Sequence, residues 1–356
     1  MRGLGIVPPD PPGGSKKPNG HKPRVAVLNS YNIPPGSAGR QSMRVQGFLQ
    51  ALTSRGWING RDFDFELLDI EERPAMRAAV RQLVEEGVDL IHAFGAPNAM
   101  IAAEATSQVP IVYCGAHPEG IAEEALGAGN VTGKMLSLPF TSTYKNFRFL
   151  RRFLPRVRTI CTAFFEDTIY VPPAMRELHG AARDRAGRRV WISSKEGPVG
   201  YRTLAGLGEI IGIEYRELVF ADAGELDQAM ADVDPQTGVF MNYNELLHCP
   251  GACDVVLARA EEMSLPTIFN NNAQAVTLGF LAGIAVDWAK LGWQAGEIAA
   301  KILAGTPPRE IPREVHSDQV AWINLDTARR LGLDLSGEVL GYFDRTVSGR
   351  VDTLCM

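Results

Sequence analysis

At 356 residues the chain is long enough for two domains or one large one, which excludes a small disulfide-stapled scaffold. Thirty-six Lys and Arg against 41 Asp and Glu leave a formal charge of −5, without the basic surplus of a nucleic-acid footprint. With 45% hydrophobic and 22% charged residues, most of the chain is expected to fold around a core.

The first 23 residues hold six prolines and five glycines, and Arg2, Lys16, Lys17 and Lys22 oppose only Asp10. Such a segment buries too little apolar surface to offset its ordering entropy and is expected to be a disordered leader. No apolar run of about 7 to 15 residues follows the basic start, so no signal peptide is expected here. Either the protein is cytoplasmic or its export signal is missing from this chain.

From Arg24 onward, short apolar runs alternate with amphipathic helices. Arg24 to Asn29 reads as a buried strand. The next helix presents Val45, Phe48, Leu49 and Leu52, the spacing of one buried face, and stops at Gly56. Phe63 to Leu68 is a strand, Met76, Val80, Leu83 and Val84 mark a helix ending at Gly87, and Val88 to Phe94 is a strand. Asn98 to Thr106 is a helix and Ile111 to Cys114 a strand. This βαβα order predicts a parallel sheet with helices on both faces. Further on come a helix with Phe147, Leu150 and Leu154, and a strand at Thr159 to Phe165. Helices near Ala174 to Arg185 and Tyr201 to Ile211 precede strands at Arg189 to Ile192 and Glu214 to Phe220. Strands at Gly238 to Asn242 and Thr267 to Phe269 complete the set, which is too many for one sheet and favours two α/β lobes. No internal repeat of fixed period is visible.

Met263 to Val286 is uncharged for 24 residues but contains Asn270, Asn271, Asn272 and Gln274. It reads as a buried strand, a polar loop and a buried helix, not as a membrane span. Five cysteines are too few for a disulfide framework. Cys249 and Cys253 flank a Pro250-Gly251 turn, and three readings stay open for them: unlinked thiols, a local disulfide, or part of a metal site with His248. Zinc would want a fourth ligand and a wider loop, so no metal is predicted.

Common catalytic motifs are absent. Gly206, Gly208 and Gly212 are spaced one residue too widely for a dinucleotide fingerprint and lie in a helical pattern. Gly127 to Lys134 resembles a phosphate loop but has five residues between its glycines and Met135 where a hydroxyl must reach magnesium. Neither a G-x-S-x-G elbow nor an H-E-x-x-H helix occurs. The six histidines read as surface or packed residues, and only His117 falls where such a sheet places a ligand.

In an open parallel sheet the ligand crevice lies outside the carboxyl ends of the strands, where helix N-termini offer free N–H groups. Five loops in those positions are rich in amides and turn residues: Ser30 to Asn32, Gly95 to Asn98, Gly115 to Glu119, Asn242 to Glu245, and Asn270 to Asn272. Asn, Gly and Pro are also what ordinary loops contain. Five such loops together suggest a small polar or amphipathic ligand held by neutral hydrogen bonds.

Several segments then resemble a known family, the substrate-binding proteins of ABC transporters related to tryptophan and tyrosine uptake. They are RVAVLNSY, GFLQAL, VDLIHAFG with APNA, VPIVYCGAHPEG, GNVTG, Leu265-Pro266-Thr267, VDWAKLGWQAGEIAAKILAGTPPREIP and INLDTARRLGLDL, in an order covering about Arg24 to Val347. The resemblance implies a type 1 periplasmic binding fold: two Rossmann-like lobes with parallel sheets, joined by a three-stranded hinge, clamping a ligand. Carried onto this chain, lobe one is 24–135 plus 272–312, and lobe two is 140–268 plus 316–356. Where relatives commonly have Asp-Pro after the fourth strand, this chain has His117-Pro118, an imidazole in place of an anion.

The implied function is the solute-binding component of an ABC-type importer, for an amino-acid-like or aromatic ligand. Permease and ATPase subunits would be its partners, an extracytoplasmic location is implied, and neither cofactor nor catalysis is expected. The candidate ligand residues are Tyr31, Asn32, Pro97, Asn98, His117, Glu119, Asn242, Asn244, Asn271 and Asp287. Asn98 and His117 mark helix N-termini for a carboxylate, Asp287 is the partner for an amine or else a helix N-cap, and Tyr31 stacks on an apolar portion or else packs as a wall. The alternative is a sensor domain that reports the same ligand to a signalling partner. An upstream export signal, or neighbouring permease and ATPase genes, would separate the two.

Overall fold

The computed structural model describes residues 22–29, 43–70, 73–116, 127, 129–136, 141–165, 181–183, 189–191, 212–231, 233–242, 246, 249, 251–270, 273–316 and 318–351. The expected leader lies outside them except for Lys22 and Pro23. Lys22 is tied down, its Nζ donating to Asp64 Oδ1 at 2.7 Å and to the Gly60 carbonyl at 2.8 Å.

The chain divides into two units. The first holds Met1–Ser137 and Asp287–Asp318, and the second holds Leu138–Val286 and Gln319–Cys355, so the chain passes between them three times. The stretch 272–286, expected in the first lobe, belongs to the second.

In the first unit the elements are β1 (Arg24–Leu28), α1 (Met43–Ser54), β2 (Asp64–Leu68), α2 (Arg73–Glu85), β3 (Leu90–Phe94), α3 (Gly95–Ala105), β4 (Ile111–Ala116) and β5 (Val131–Leu136). They form a six-stranded sheet in the order β13-β5-β4-β3-β1-β2, where β13 (Glu314–His316) arrives late in the chain. Every pairing is parallel, as the βαβα pattern predicts. β3 is buried throughout because helices cover both faces of the sheet. The predicted helical faces are the buried ones: Val45, Phe48 and Leu52 on α1, and Met76, Val80 and Leu83 on α2.

In the second unit the elements are α4 (Thr141–Phe153), β6 (Thr159–Phe165), β7 (Ala181–Arg183), β8 (Arg189–Trp191), β9 (Glu214–Phe220), α5 (Ala223–Ala231), β10 (Gly238–Asn242), α6 (Ala252–Met263), β11 (Thr267–Asn270) and β12 (Ala282–Val286). After the return through α7 (Trp288–Leu303) come β14 (Gln319–Asn324), α8 (Leu325–Arg330), α9 (Gly337–Leu340) and β15 (Arg345–Val347). The seven-stranded sheet runs β15-β14-β12-β11-β10-β6-β9, parallel except where β14 meets β12. Phe147, Leu150 and Leu154 pack into its core with Ile160, Met241 and Ile268.

Three expectations change. The buried helix expected after the Asn loop is instead a short 3₁₀ turn, Ala273–Leu278, followed by strand β12. Gly283 of that strand permits close packing, since a Cβ there would lie 3.0 Å from Ala273 Cα and 3.1 Å from the Phe269 carbonyl. Residues 181–183, expected inside a helix, pair antiparallel with β8. The helix expected at Tyr201 to Ile211 lies outside the described residues. Among the described residues no helix is long and apolar enough to cross a membrane.

Both sheets share one strand order. Five strands of the first run β2-β1-β3-β4-β5, and five of the second run β9-β6-β10-β11-β12, which is the same 2-1-3-4-5 arrangement counted from β6. Successive crossovers therefore leave in opposite directions between β1 and β3, and again between β6 and β10. Those are the switch points at which open α/β sheets leave a crevice at their carboxyl ends.

Candidate functional site

At the first switch point the carboxyl ends of β1 and β3 are lined by asparagines. Asn29 is fully buried, and its Nδ2 donates to Asp69 Oδ1 at 3.4 Å. Asn98, in the first turns of α3, is 1% exposed and donates Nδ2 to the Leu28 carbonyl at 3.3 Å. α3 begins directly after β3 through Gly95, whose φ of 71° is left-handed, and Phe94 at its N-cap supplies no side-chain cap. Pro97 sits in the same first turn.

Beside this edge lies a cation held by aromatic rings. Arg44, near the start of α1, is only 8% exposed, and its guanidinium carbon stands 4.0 Å from the Phe94 ring centroid and 5.3 Å from that of Trp288. Gly115, left-handed at φ 75°, lies against both rings, and a Cβ there would stand 3.4 Å from each. A guanidinium against aromatic faces gains cation–π attraction while keeping its donors in the plane.

Behind the edge, His92 is packed and not poised as a base. Its Nδ1 faces the Val112 carbonyl at 2.8 Å, its Nε2 faces Cys114 Sγ at 3.8 Å, and Phe48 stacks on the ring with centroids 4.4 Å apart. Burial pulls its pKa down to about 4, opposed in part by the hydrogen bond to Val112. The Cys114 thiol is pushed upward, also by burial.

At the second switch point Asn242 ends β10, 1% exposed, and donates Nδ2 to the Ile268 carbonyl at 3.2 Å. One strand further, Asn146 of α4 donates Nδ2 to Asn270 Oδ1 at 2.9 Å and to the Ile284 carbonyl at 3.3 Å. The Oδ1 atoms of Asn146 and Asn242 are buried without a hydrogen-bond partner. Among the described residues no group of three or more His, Cys, Asp and Glu is arranged to hold a metal ion.

Of the ten expected ligand residues, Tyr31, Asn32, His117, Glu119, Asn244 and Asn271 lie outside the described residues. Asn98 and Asn242 stand at the switch points of the two sheets. Asp287 is the N-cap of α7: its Oδ1 accepts from the Lys290 N–H at 3.0 Å, so the capping alternative describes what it does. Arg44, Trp288 and Asn146 escaped the sequence reading because it searched loops after strands, whereas these three stand on helices. Trp288 carried a signal, as the residue next to Asp287 in the quoted VDWAKLGW block.

The family model for ABC transporter substrate binding proteins matches residues 38–185 and 193–347. The chain belongs to this family. It is a family of substrate-binding proteins and not of enzymes, and its members normally work outside the cytoplasm. A tyrosine-binding protein of Clostridioides difficile (strain R20291) is 22% identical over 303 residues, which is 83% of this chain and 79% of that protein. Among solved structures, a conserved domain protein from Vibrio cholerae matches with a TM-score of 0.67 at 20% identity, covering 92% of this chain and all of that one. An ABC domain from Streptococcus pneumonia in complex with L-Trp matches with a TM-score of 0.66 at 18% identity, with the same coverage. The fold of this substrate-binding protein is thus the two-lobed type 1 periplasmic binding fold.

Proposed function

We propose that this protein is the solute receptor of an ABC-type importer and binds an aromatic amino acid at the carboxyl ends of its strands for delivery to permease and ATPase subunits. The observation that carries the reading is the alignment with a tyrosine-binding protein over 83% of the chain, inside a family match that spans both units. The site chemistry supports it. An amino-acid carboxylate suits the uncapped N-terminus of α3 beside Asn98, where a helix end contributes ~0.3–1 kcal/mol, and Arg44 adds positive charge to the same edge. Trp288 and Phe94 supply aromatic surface next to it. At the second sheet, the buried Asn146 and Asn242 carbonyls call for N–H or O–H donors.

The test is calorimetry and thermal denaturation with L-tyrosine, L-tryptophan and L-phenylalanine. A ligand at 100 times its Kd adds about 2.7 kcal/mol of stability, visible as a rise in Tm. The absence of heat or Tm shift with all three at millimolar concentration would refute the ligand class.

A further inference from the structure

Between β10, the strand that ends at the second switch point, and the first turn of α6 the chain carries two thiols the binding reading does not use. Cys249 is 6% exposed and Cys253 is half-buried, and neither is in a disulfide. The Cys249 N–H donates to the Leu246 carbonyl at 3.3 Å, and the Ala252 N–H donates to the Cys249 carbonyl at 3.1 Å, the bond that closes a four-residue turn. Gly251, at φ 78° and ψ −10°, has the conformation of the third position of a type II turn, and it is also the N-cap of α6. Cys253 is then the second helical residue, one step beyond the turn that Cys249 opens.

We propose that Cys249 and Cys253 are an oxidisable pair that closes into a local disulfide across the N-terminus of α6. A hydrogen-bonded turn holds the Cα atoms of Cys249 and Ala252 within about 7 Å, and Cys253 is the next residue, which brings the two thiols to the same end of α6. The sulfurs are near enough to influence one another. Burial pushes the Cys253 thiol up to about 12, and negative charge on Asp254 and on Cys249 pushes in the same direction. Burial raises Cys249 as well, with Asp222 as the further cause. Thiols held this high attack slowly and are poor leaving groups, so the bond forms slowly and, once made, resists exchange. The remaining described cysteines, Cys114 and Cys161, are buried on strands β4 and β6.

The oxidant is a disulfide of the glutathione or thiol-oxidoreductase class. The thiolate of Cys253, the more exposed of the two, attacks one sulfur of oxidised glutathione, releases one glutathione thiolate and leaves a mixed disulfide. Cys249 then gives up its proton and attacks the Cys253 sulfur, releasing the second glutathione. In sum, two protein thiols and one oxidised glutathione become one protein disulfide and two reduced glutathiones, two electrons passing to the oxidant.

The experiment uses the full chain, incubated in oxidised glutathione at mildly alkaline pH and in parallel in a strong reductant. Each sample is then denatured, alkylated and analysed by intact mass and peptide mapping. Of the five cysteines, all should alkylate in the reduced sample and only Cys114, Cys161 and Cys355 in the oxidised one. The oxidised protein should be lighter by about 2 Da before alkylation and yield a peptide joined through Cys249 and Cys253. Cys249→Ser and Cys253→Ser should each abolish that joined peptide. Oxidised wild type with five alkylated cysteines overturns the proposal, as does a bridge joining Cys249 or Cys253 to Cys355 or to a second molecule. Because the wild-type arms alone decide it, the test holds even if a serine variant fails to fold.

Discussion

His92 makes the stability of the first unit depend on acid in a calculable way. Buried under Phe48 with its Nδ1 on the Val112 carbonyl, the imidazole has a pKa of about 4 in the folded protein against an ordinary 6.5. The Arg44 guanidinium lowers it further, so the neighbouring charge works with burial. Between those two values the unfolded chain binds a proton that the folded chain refuses, and stability must rise with pH. The contribution is complete above about pH 6.5, falls by about 2 kcal/mol at pH 5, and by about 3 kcal/mol at pH 4. Carboxylates held low by partners, such as Glu86 beside Gln82 and Arg24 or Glu314 beside Lys134, lose their contribution only nearer pH 4. Between about pH 6.5 and 5 these carboxylates keep their charge, and comparison with a His92 variant separates the buried imidazole from the other five histidines. Urea unfolding followed by circular dichroism at several pH values, for wild type and His92→Gln, should show a steep loss in the former. The variant starts less stable and should give a nearly flat profile. Parallel slopes in the two proteins would refute the reasoning.

Two further outcomes follow from local geometry. Gly292 of α7 lies against the α1 backbone, where a Cβ would meet the Arg44 carbonyl far inside contact distance and stand 2.9 Å from its Cα. Gly292→Ala should therefore destabilise by about 1–3 kcal/mol, read as a fall in urea midpoint, and a variant melting with wild type would show that the helices are free to part. Asp287→Ala removes the cap of α7 and should cost about 1 kcal/mol, or about 2–4 °C in Tm, while the Kd for a bound aromatic amino acid stays within about twofold. A tenfold weaker Kd in calorimetry would return Asp287 to the ligand site.

The legible parts of the fold were those where one element carries one pattern. β1 and β3 are short apolar runs because both of their faces are covered, and α1 and α2 show their buried faces at helical spacing. β12 was not legible, because Ala282-Gly283-Ile284-Ala285-Val286 is built of small residues that fit a helix as well as a strand. Only the surroundings select the strand: the Phe269 carbonyl and the Val276 side chain both crowd the place where a Gly283 Cβ would stand. β13 has the sequence Glu-Val-His, and its identity rests on pairing with Lys134 to Leu136 far away in sequence. The placement of 272–286 failed for the same reason: the strand's partner β14 lies beyond the whole of α7. In the site, loop composition pointed to the carboxyl ends of the strands but not to Arg44, whose ring partners are brought to it by two separate elements, β3 and α7.

Amide-rich strand ends carry two kinds of information that composition cannot separate. A strand that stops at the sheet edge leaves carbonyls beyond the reach of the ladder, and an asparagine at that edge satisfies them with its Nδ2. Asn98 does so for Leu28, Asn242 for Ile268, and Asn146 for Ile284. The donor half of each amide is thus spent on architecture, which explains why these residues suit the ends of strands whatever the protein binds. The acceptor half distinguishes among them. In Asn146 and Asn242 the buried Oδ1 has no partner, a condition costing about 1–3 kcal/mol apiece, whereas the same oxygen of Asn270 receives the Asn146 amide. Both unsatisfied oxygens stand at the carboxyl edge of the second sheet. The capacity for new hydrogen bonds at that edge therefore favours a group that donates, such as an ammonium, over one that accepts, while Arg44 and the open end of α3 at the first sheet favour an anion.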